Sequence, residues 1–437
     1  MVLEDDAFVT SLSLQTHPLS TVKESIKTQY FDALTYFITH LSENEPRSFT
    51  LRLKQYREFL LGESASFPSN PEKSLRAIVD CRLQPWRKKY RYILLCDIAL
   101  IMQTESAVQT AANLMKERLS ERHYFLLDKT IDALHVDDYT DYVSFPYIEN
   151  LVKQYHINQM FTKKPERRII VAANMSAGKS TLVNALIGKR VARTSMEACT
   201  GNICYIYNKP YEDGRTHLST TTTNLNASPE QLTAFDWETV PSIATYFRAP
   251  QSGGTRLCII DTPGVNSALN KEHGNITKNA LKNEVYDTLV YVIKGTDLGT
   301  DAELSYLKWI SENIPHEKII FVLNRLDEFR ASEDNVQDSL NDVFADLTGL
   351  GFENPTVCPF SAYFAYLIQL VDNGEELSED ETDEYEYLVR KFKKDAYDLS
   401  KFYGEEGVKS DSGTAEDMHT RSGLSGVERI IFLGGKT

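Results

Sequence analysis

From the start of the chain to Pro165 the apolar residues recur at helical spacing, most clearly over Ser20–Leu41, Ser74–Met102 and Ala107–Leu126. That period predicts an all-α N-terminal region, residues 1–165. In the first segment Ile26, Tyr30, Leu34 and Ile38 recur every four residues and make one apolar stripe. Its expected role is core packing; a partner-binding helix is the other reading. The longest apolar run, Tyr92–Met102, is interrupted by Asp97 and falls far short of the roughly 20 residues that span a bilayer. It predicts a buried core helix. Around Phe161–Arg168 the sequence turns polar and basic (TKKPERR), with Pro165 as a helix breaker, and the domain boundary is expected there.

Beyond it the pattern changes. Short β-rich runs (RIIVAA, ICYIY, LCIID, LVYVI, KIIFVLN) alternate with longer polar or helical stretches. Near-continuous apolar strands separated by helices predict an α/β domain over 166–437, a mainly parallel sheet covered by helices on both faces. Residues 372–420 are acidic and polar (DNGEELSEDETDEYEY, then GEEGVKSDSGTAED), which predicts an insertion containing one helix with a solvated face. The chain then resumes with SGLSGVERIIFLGGKT. The terminal GGKT has no helix after it and is read as a chance echo of a phosphate-binding loop.

The stretch VAANMSAGKSTLVNALIG, Val171–Gly188, reads as strand, tight loop and helix. In that context a G-x-x-x-x-G-K-[ST] pattern has a physical meaning: loop N–H groups and the positive end of the helix dipole face phosphates. Ala173, Asn174, Met175, Ser176, Ala177, Gly178, Lys179, Ser180 and Thr181 are the expected phosphate-side residues. Ala173 replaces the first glycine of the pattern, which adds only a methyl. Lys179 is expected to reach the β- and γ-phosphates and the Ser180 hydroxyl to bind magnesium. Downstream, LCIIDTPGV ends a second strand in Asp261-Thr262-Pro263-Gly264, where Asp261 can hold magnesium through water and the Gly264 N–H can sense the γ-phosphate. A third strand, KIIFVLNRLD, ends in Asn324, Arg325 and Asp327. A carboxylate there can accept from guanine's ring N–H and exocyclic amine, a pair adenine does not offer. Asn324 is expected to brace the loop and base, and the Arg325 stem to cover one face of the ring. In TVCPFSAYF, Ser361 and Ala362 follow a further short strand, with the Ala362 N–H expected to meet the guanine carbonyl. All these motifs fall at strand C-terminal ends, where open α/β sheets bind ligands.

Composition narrows the setting. A net charge of −15 argues against nucleic acid as a partner, and any membrane contact has to be local. The six cysteines show no CxxC pairing, which suits free thiols in a reducing compartment and gives zinc little support. The start, MVLEDDAFVT, is acidic where a secretory signal is basic. A cytoplasmic protein is expected, with peripheral membrane attachment left open.

Over Arg168–Ala365 these motifs resemble the TRAFAC-type GTPases and, within them, the dynamin-like proteins, particularly bacterial ones; SGLSGVERI resembles the last helix of the same domain. The resemblance implies GTP as substrate and Mg2+ as cofactor. It also implies that Thr200, in EACTGNICYIY, is the switch-one threonine that joins Ser180 and Asp261 around the metal, with Thr194 as the alternative. About sixty residues separate Thr200 from Asp261, more than a minimal Ras-like domain has, and Val265 stands where Ras-like proteins carry a water-orienting glutamine. Dynamins place a glutamine and then a serine in the phosphate loop to position the attacking water, whereas this chain has Met175 and Ser176. Catalysis is therefore expected to rest on Lys179, Thr200 and Ser176, with a group from a second molecule, and to be slow. The family pattern implies homodimerisation through the GTPase domains and a membrane or stalk-bearing protein partner. Eleven residues follow Gly426, so the helical stalk that normally follows the family's GTPase domain is expected to be missing or to sit on a separate chain. The alternative is a slow GTP/GDP switch that recruits a partner through the helical region.

Overall fold

A computed structural model describes residues 6–42, 49–62, 69–81, 85–136, 138, 145–192, 202–234, 240–248, 255–265, 272–295, 301–330, 332–404 and 415–434. The chain divides into two compact units.

The first unit comprises Met1–Pro165 together with two later segments, Lys209–His217 and Thr223–Asn226. Its main helices are α1 (Glu24–Leu41), α2 (Phe49–Leu61), α3 (Lys89–Met102), α4 (Glu105–Glu117), α5 (Tyr124–His135) and α6 (Pro146–Thr162). The stripe on α1 faces the core: Tyr30, Leu34 and Ile38 are buried and Ile26 is partly so. Helix α3 is buried along its whole length after Lys89, so Asp97 needs donors. His17 Nε2 lies 3.1 Å from both its carboxylate oxygens, the Tyr56 hydroxyl donates at 2.9 Å, and the Tyr30 hydroxyl donates to Oδ2. Burial first, and then the Asp97 charge, pushes both phenols well above their ordinary pKa.

Two helical segments are shorter than their periodicity suggests. Ser74–Met102 is interrupted at Cys81, whose φ of 52° ends a π-helical turn (Arg76–Asp80) before a 3-10 turn (Pro85–Lys88) leads into α3. Ala107–Leu126 splits where α4 ends at Glu117 and a 3-10 turn at Glu121–His123 opens α5. Both breaks carry local signals that the apolar period does not weigh: Pro85 after the first, and the polar stretch Ser120–His123 at the second.

Segment Lys209–His217 is fixed by a buried network inside this unit. Lys209 Nζ donates to both Asp213 oxygens at 2.6 Å and approaches His217 Nε2 at 3.2 Å, while Asp213 Oδ2 accepts from the Leu12 N–H at 2.9 Å. His217 Nδ1 lies 2.6 Å from the Phe8 carbonyl. Burial, then the Lys209 charge, holds the imidazole pKa well below its usual value. The neutral ring therefore donates through Nδ1 and accepts at Nε2.

The second unit comprises Glu166–Asn208, Leu218–Thr222 and Ala227–Thr437. Seven strands lie wholly within it: β1 (Glu166–Ala173), β2 (Cys204–Asn208), β3 (Ser242–Thr245), β4 (Arg256–Asp261), β5 (Thr288–Lys294), β6 (Ile319–Asn324) and β7 (Thr356–Pro359). They run side by side in the order β3-β2-β4-β1-β5-β6-β7. Every neighbouring pair is parallel except β2 with β4, where Cys204 opposes Asp261. The sheet is thus mainly parallel, as the apolar runs predict. Its main helices are α7 (Lys179–Ile187), α8 (Glu272–Asn283), α9 (Asp301–Asn313), α10 (Val336–Gly349), α11 (Ala362–Asp372), α12 (Glu379–Phe392) and α13 (Leu424–Leu433). Helix α7 packs against α11 and α13. Strand β3 has no counterpart in the sequence reading: SIAT is four residues long and carries one large apolar side chain. No helix among the described residues is long and apolar enough to cross a membrane.

Candidate functional site

Strand β1 is buried from Ile169 to Ala173, and its register against β4 sets Val171 opposite Asp261. The parallel alignment brings both strand ends, and the loops that leave them, to one edge. From Ala173 the chain turns into α7 through Asn174–Gly178. The turn needs left-handed backbone at Ser176 (φ 64°) and Gly178 (φ 89°). At Gly178 space adds to conformation, because a Cβ there would collide with the side-chain amide of Asn324. This glycine therefore permits both the turn and the close approach of the loop after β6.

Lys179 opens α7 and its ammonium pairs with the Asp261 carboxylate; both side chains are buried. A carboxylate this enclosed requires a cation or several donors. Ser180 and Thr181, half-buried, follow in the first turn of the helix. The Ser180 hydroxyl and the Asp261 carboxylate are hard oxygen donors of the kind Mg2+ takes, so the donor chemistry fits the metal, while in this structure the Asp261 charge is met by Lys179.

The loop after β4 is stitched to the phosphate-side loop as a continuation of the sheet. Val265 N–H donates to the Ala173 carbonyl at 3.1 Å and Met175 N–H to the Val265 carbonyl at 3.1 Å, a parallel bridge between Asn174 and Val265. The Thr262 hydroxyl donates to the Val171 carbonyl at 2.8 Å and the buried Thr277 hydroxyl to the Pro263 carbonyl at 2.8 Å. Gly264 faces Met175: a Cβ there would stand 3.5 Å from Met175 Cγ. Met175 is 37% exposed, so its thioether lies at the surface beside the point where Gly264 is expected to sense phosphate.

The loop after β6 is tied to the other two. Asn324 is buried; its amide donates to the Ala177 carbonyl at 2.8 Å and its oxygen accepts from the Ala362 N–H at 2.9 Å. These bonds tie Asn324 to the phosphate-side turn. The Ala362 N–H, expected to meet a guanine carbonyl, donates in this structure to Asn324 Oδ1. Arg325 adopts φ 65° and its guanidinium lies 2.5 Å from Glu328 Oε1. Asp327 accepts from the Ser361 hydroxyl at 2.6 Å, and Ser361 also caps α11. Burial pushes the Asp327 carboxyl up, against the Ser361 hydrogen bond, which lowers it.

Thr200 and its alternative Thr194 lie outside the described residues. The chain that leads to them is held by Asn184, a buried polar residue inside apolar α7. Its oxygen accepts from the Val191 and Ala192 N–H groups at 2.9 and 2.7 Å and its amide donates to the Ala192 carbonyl at 2.8 Å. An asparagine within LVNALI is the signal that could have revealed this anchor, since buried polar side chains inside helices are rare without a partner. Nor is the acidic helix α12 only a solvated face. Glu381 makes a bidentate pair with Arg190 at 2.7 and 2.8 Å while its carboxylate also receives the Ser378 N–H. Its pKa falls to about 2, chiefly through Arg190.

Three loops thus converge at one sheet edge: one of N–H groups and a lysine, one with a buried carboxylate, and one ending in an aspartate poised on a hydroxyl. Residues 169–326 match the family model described as the dynamin family. Over this segment the chain is similar to the dynamin family. The chain is 24% identical over 195 residues to a probable transmembrane GTPase, FZO-like, chloroplastic, of Arabidopsis thaliana, covering 44% of this chain and 19% of that one. It is 23% identical over 240 residues to an uncharacterised protein in the xynA 3′ region of a Caldicellulosiruptor strain, covering 52% of this chain and 56% of the relative. The chain therefore spans about a fifth and about half of these relatives' lengths. Among solved structures, Toc33 of Arabidopsis thaliana in complex with Mg2+ and GMPPNP is 18% identical with a TM-score of 0.29, covering 50% of this chain and 80% of Toc33. The Era protein of Aquifex aeolicus with GDP and aluminium fluoride is 19% identical with a TM-score of 0.28, covering 49% and 58%. The dynamin-family match takes in the phosphate-side loop, Asp261 and Asn324.

Proposed function

We propose that this chain binds and hydrolyses GTP with Mg2+, and that its nucleotide state controls self-association through the GTPase domain. The observation that carries the reading is the Asn324 side chain. It joins the phosphate-side turn at Ala177 to Ala362, next to the Ser361 hydroxyl that donates to Asp327, which supports a single edge serving a triphosphate and a purine together. Loop N–H groups and Lys179 are the proposed phosphate ligands, Ser180, Asp261 and Thr200 the proposed metal ligands, and Asp327 the proposed guanine acceptor. Bound Mg2+ would neutralise charge on the β- and γ-oxygens. Calorimetric titration of GTP, GDP and ATP, repeated with Lys179→Ala and Asp327→Ala, tests this. Lys179→Ala is expected to lose tight GTP binding and Asp327→Ala to lose guanine preference; wild-type behaviour by both variants rejects the assignment. Specific activity that rises with protein concentration is expected from self-association, and a flat profile removes that part. Peripheral membrane attachment through a separate stalk-bearing partner belongs to the same proposal. Liposome co-sedimentation should fail for this chain alone and recover with that partner.

A second reading, a slow switch that recruits a protein through its helical unit, is favoured by Met175. A thioether packed beside Gly264 offers no hydrogen bond to orient water. Met175→Gln should then accelerate single-turnover hydrolysis while leaving GDP affinity unchanged, and an unchanged rate counts against the idea.

A further inference from the structure

The acidic segment places one of its few cations under the purine-reading loop. Lys391 comes from the last turn of α12 and is 7% exposed. Its ammonium donates to the Asp327 carbonyl at 2.5 Å and the Phe329 carbonyl at 2.6 Å. On its other side lies the ring of Tyr397, 4.6 Å from the ammonium to the centroid, with Tyr387 at 5.8 Å. Two carbonyls and an aromatic face replace the water this charge has lost.

The loop it binds is one that needs outside support. Arg325 begins it in the left-handed region, which costs a non-glycine residue about 1–2 kcal/mol, and the two carbonyls that converge on Lys391 belong to residues two apart. Without a cation between them those carbonyl dipoles repel. Helix α12 is itself fixed at both ends: Glu381 clasps Arg190 near its start, and Phe392 packs on Phe364 of α11 at 4.6 Å between centroids. Lys391 is therefore delivered by a braced helix rather than by a free surface chain. The same ammonium acts electrostatically on the Asp327 carboxyl: burial raises its pKa and Lys391 is among the groups that lower it, which favours the ionised form that accepts two N–H groups.

We propose that Lys391 is a positioning residue for base selectivity: by tying the Asp327 and Phe329 carbonyls together it aims the Asp327 carboxylate at the guanine edge, from a helix that begins outside every nucleotide motif. This rests on the proposed guanine site. It makes the acidic segment part of the nucleotide-binding apparatus, with Tyr397 holding the ammonium in place.

The experiment measures dissociation constants for GDP, IDP and ADP with the full chain and its Lys391→Met, Lys391→Arg and Asp327→Ala variants. IDP lacks only the exocyclic amine that Asp327 would accept from. Lys391→Met is expected to cut the GDP-over-IDP and GDP-over-ADP ratios by about tenfold or more, mainly through GDP, as a small misaim at a binding group does. Lys391→Arg, whose planar fork can still serve two carbonyls, is expected to recover most of each ratio. Wild-type ratios in Lys391→Met overturn the proposal, and so does an equal loss for all three nucleotides, which marks a purely structural lysine. If Lys391→Met does not fold, Lys391→Gln carries the same comparison with the same outcomes. A wild-type chain that does not prefer GDP instead sinks the guanine site itself, a result readily told apart from the others.

Discussion

Asn324 and Gly178 occupy one another's space: the asparagine amide reaches the Ala177 carbonyl at 2.8 Å across the place where any side chain at 178 would stand. The phosphate-side turn and the base-side loop are therefore one mechanical object. Substitution at either residue should disturb both ends of a bound nucleotide.

Gly178→Ala should lose GDP affinity by about tenfold or more. The variant must hold alanine at φ 89°, at about 1–2 kcal/mol, and must also displace Asn324. Titration of GDP into the variant, with circular dichroism to show a retained fold, checks this; near-native affinity would mean that Asn324 can move aside freely.

Asn324→Ala should destabilise the nucleotide domain by about 1–3 kcal/mol, because it strands the buried Ala177 carbonyl and Ala362 N–H. Denaturant unfolding without nucleotide isolates this from any effect on binding. A loss below a few tenths would show that water repairs both groups.

In the helical unit, Asp97→Ala is expected to cost about 3 kcal/mol or more, about 1 kcal/mol or more for each buried donor left unpaired. Two tyrosine hydroxyls and His17 converge on that carboxylate, and all would lose their partner inside α3's packing. Melting curves of wild type and variant decide it, and an unchanged midpoint would contradict the buried network.

Glu381 supplies a pH dependence whose direction is fixed. Its folded pKa is depressed to about 2 by Arg190, below its unfolded value near 4.3. Its contribution is therefore fully present above about pH 4.3 and disappears as pH falls toward 2. Because the pair is partly solvated, screening limits it to about 0.5–1 kcal/mol. The stability gap between wild type and Glu381→Gln should be steady from pH 7 to 5 and close below pH 4; a gap that widens in acid would reverse the assignment.

The strands that carry the site were legible in the sequence because parallel strands buried on both faces leave long apolar runs, and each run ended in a motif whose chemistry is local. β1, β4 and β6 are of this kind. What stayed hidden depended on residues far apart in the chain. Lys391 lies in a charge run whose composition suggests a solvated surface, and only the fold brings it to carbonyls 64 and 62 positions away. Asp97 was visible as a break in an apolar run, yet its partners come from three separate segments with no shared pattern. The left-handed turn at Cys81 has no signal of its own residue type, and only Pro85 four positions later marks a break. The hydrogen bond from the Ala362 N–H to Asn324 was equally invisible, since the two residues lie 38 positions apart.

The network of Lys209, Asp213 and His217 has an architectural consequence. These residues are written into the chain between two strands of the nucleotide domain, yet their partners are Leu12 and Phe8 near the beginning. A single cut at Pro165 would not separate the two units cleanly: a fragment starting at Glu166 would keep Lys209, Asp213 and His217 together but without the Leu12 N–H and the Phe8 carbonyl that they bind. Residues 209–217 thus belong to the helical unit although the chain writes them after Pro165, so its boundary is a matter of contacts and not of sequence position.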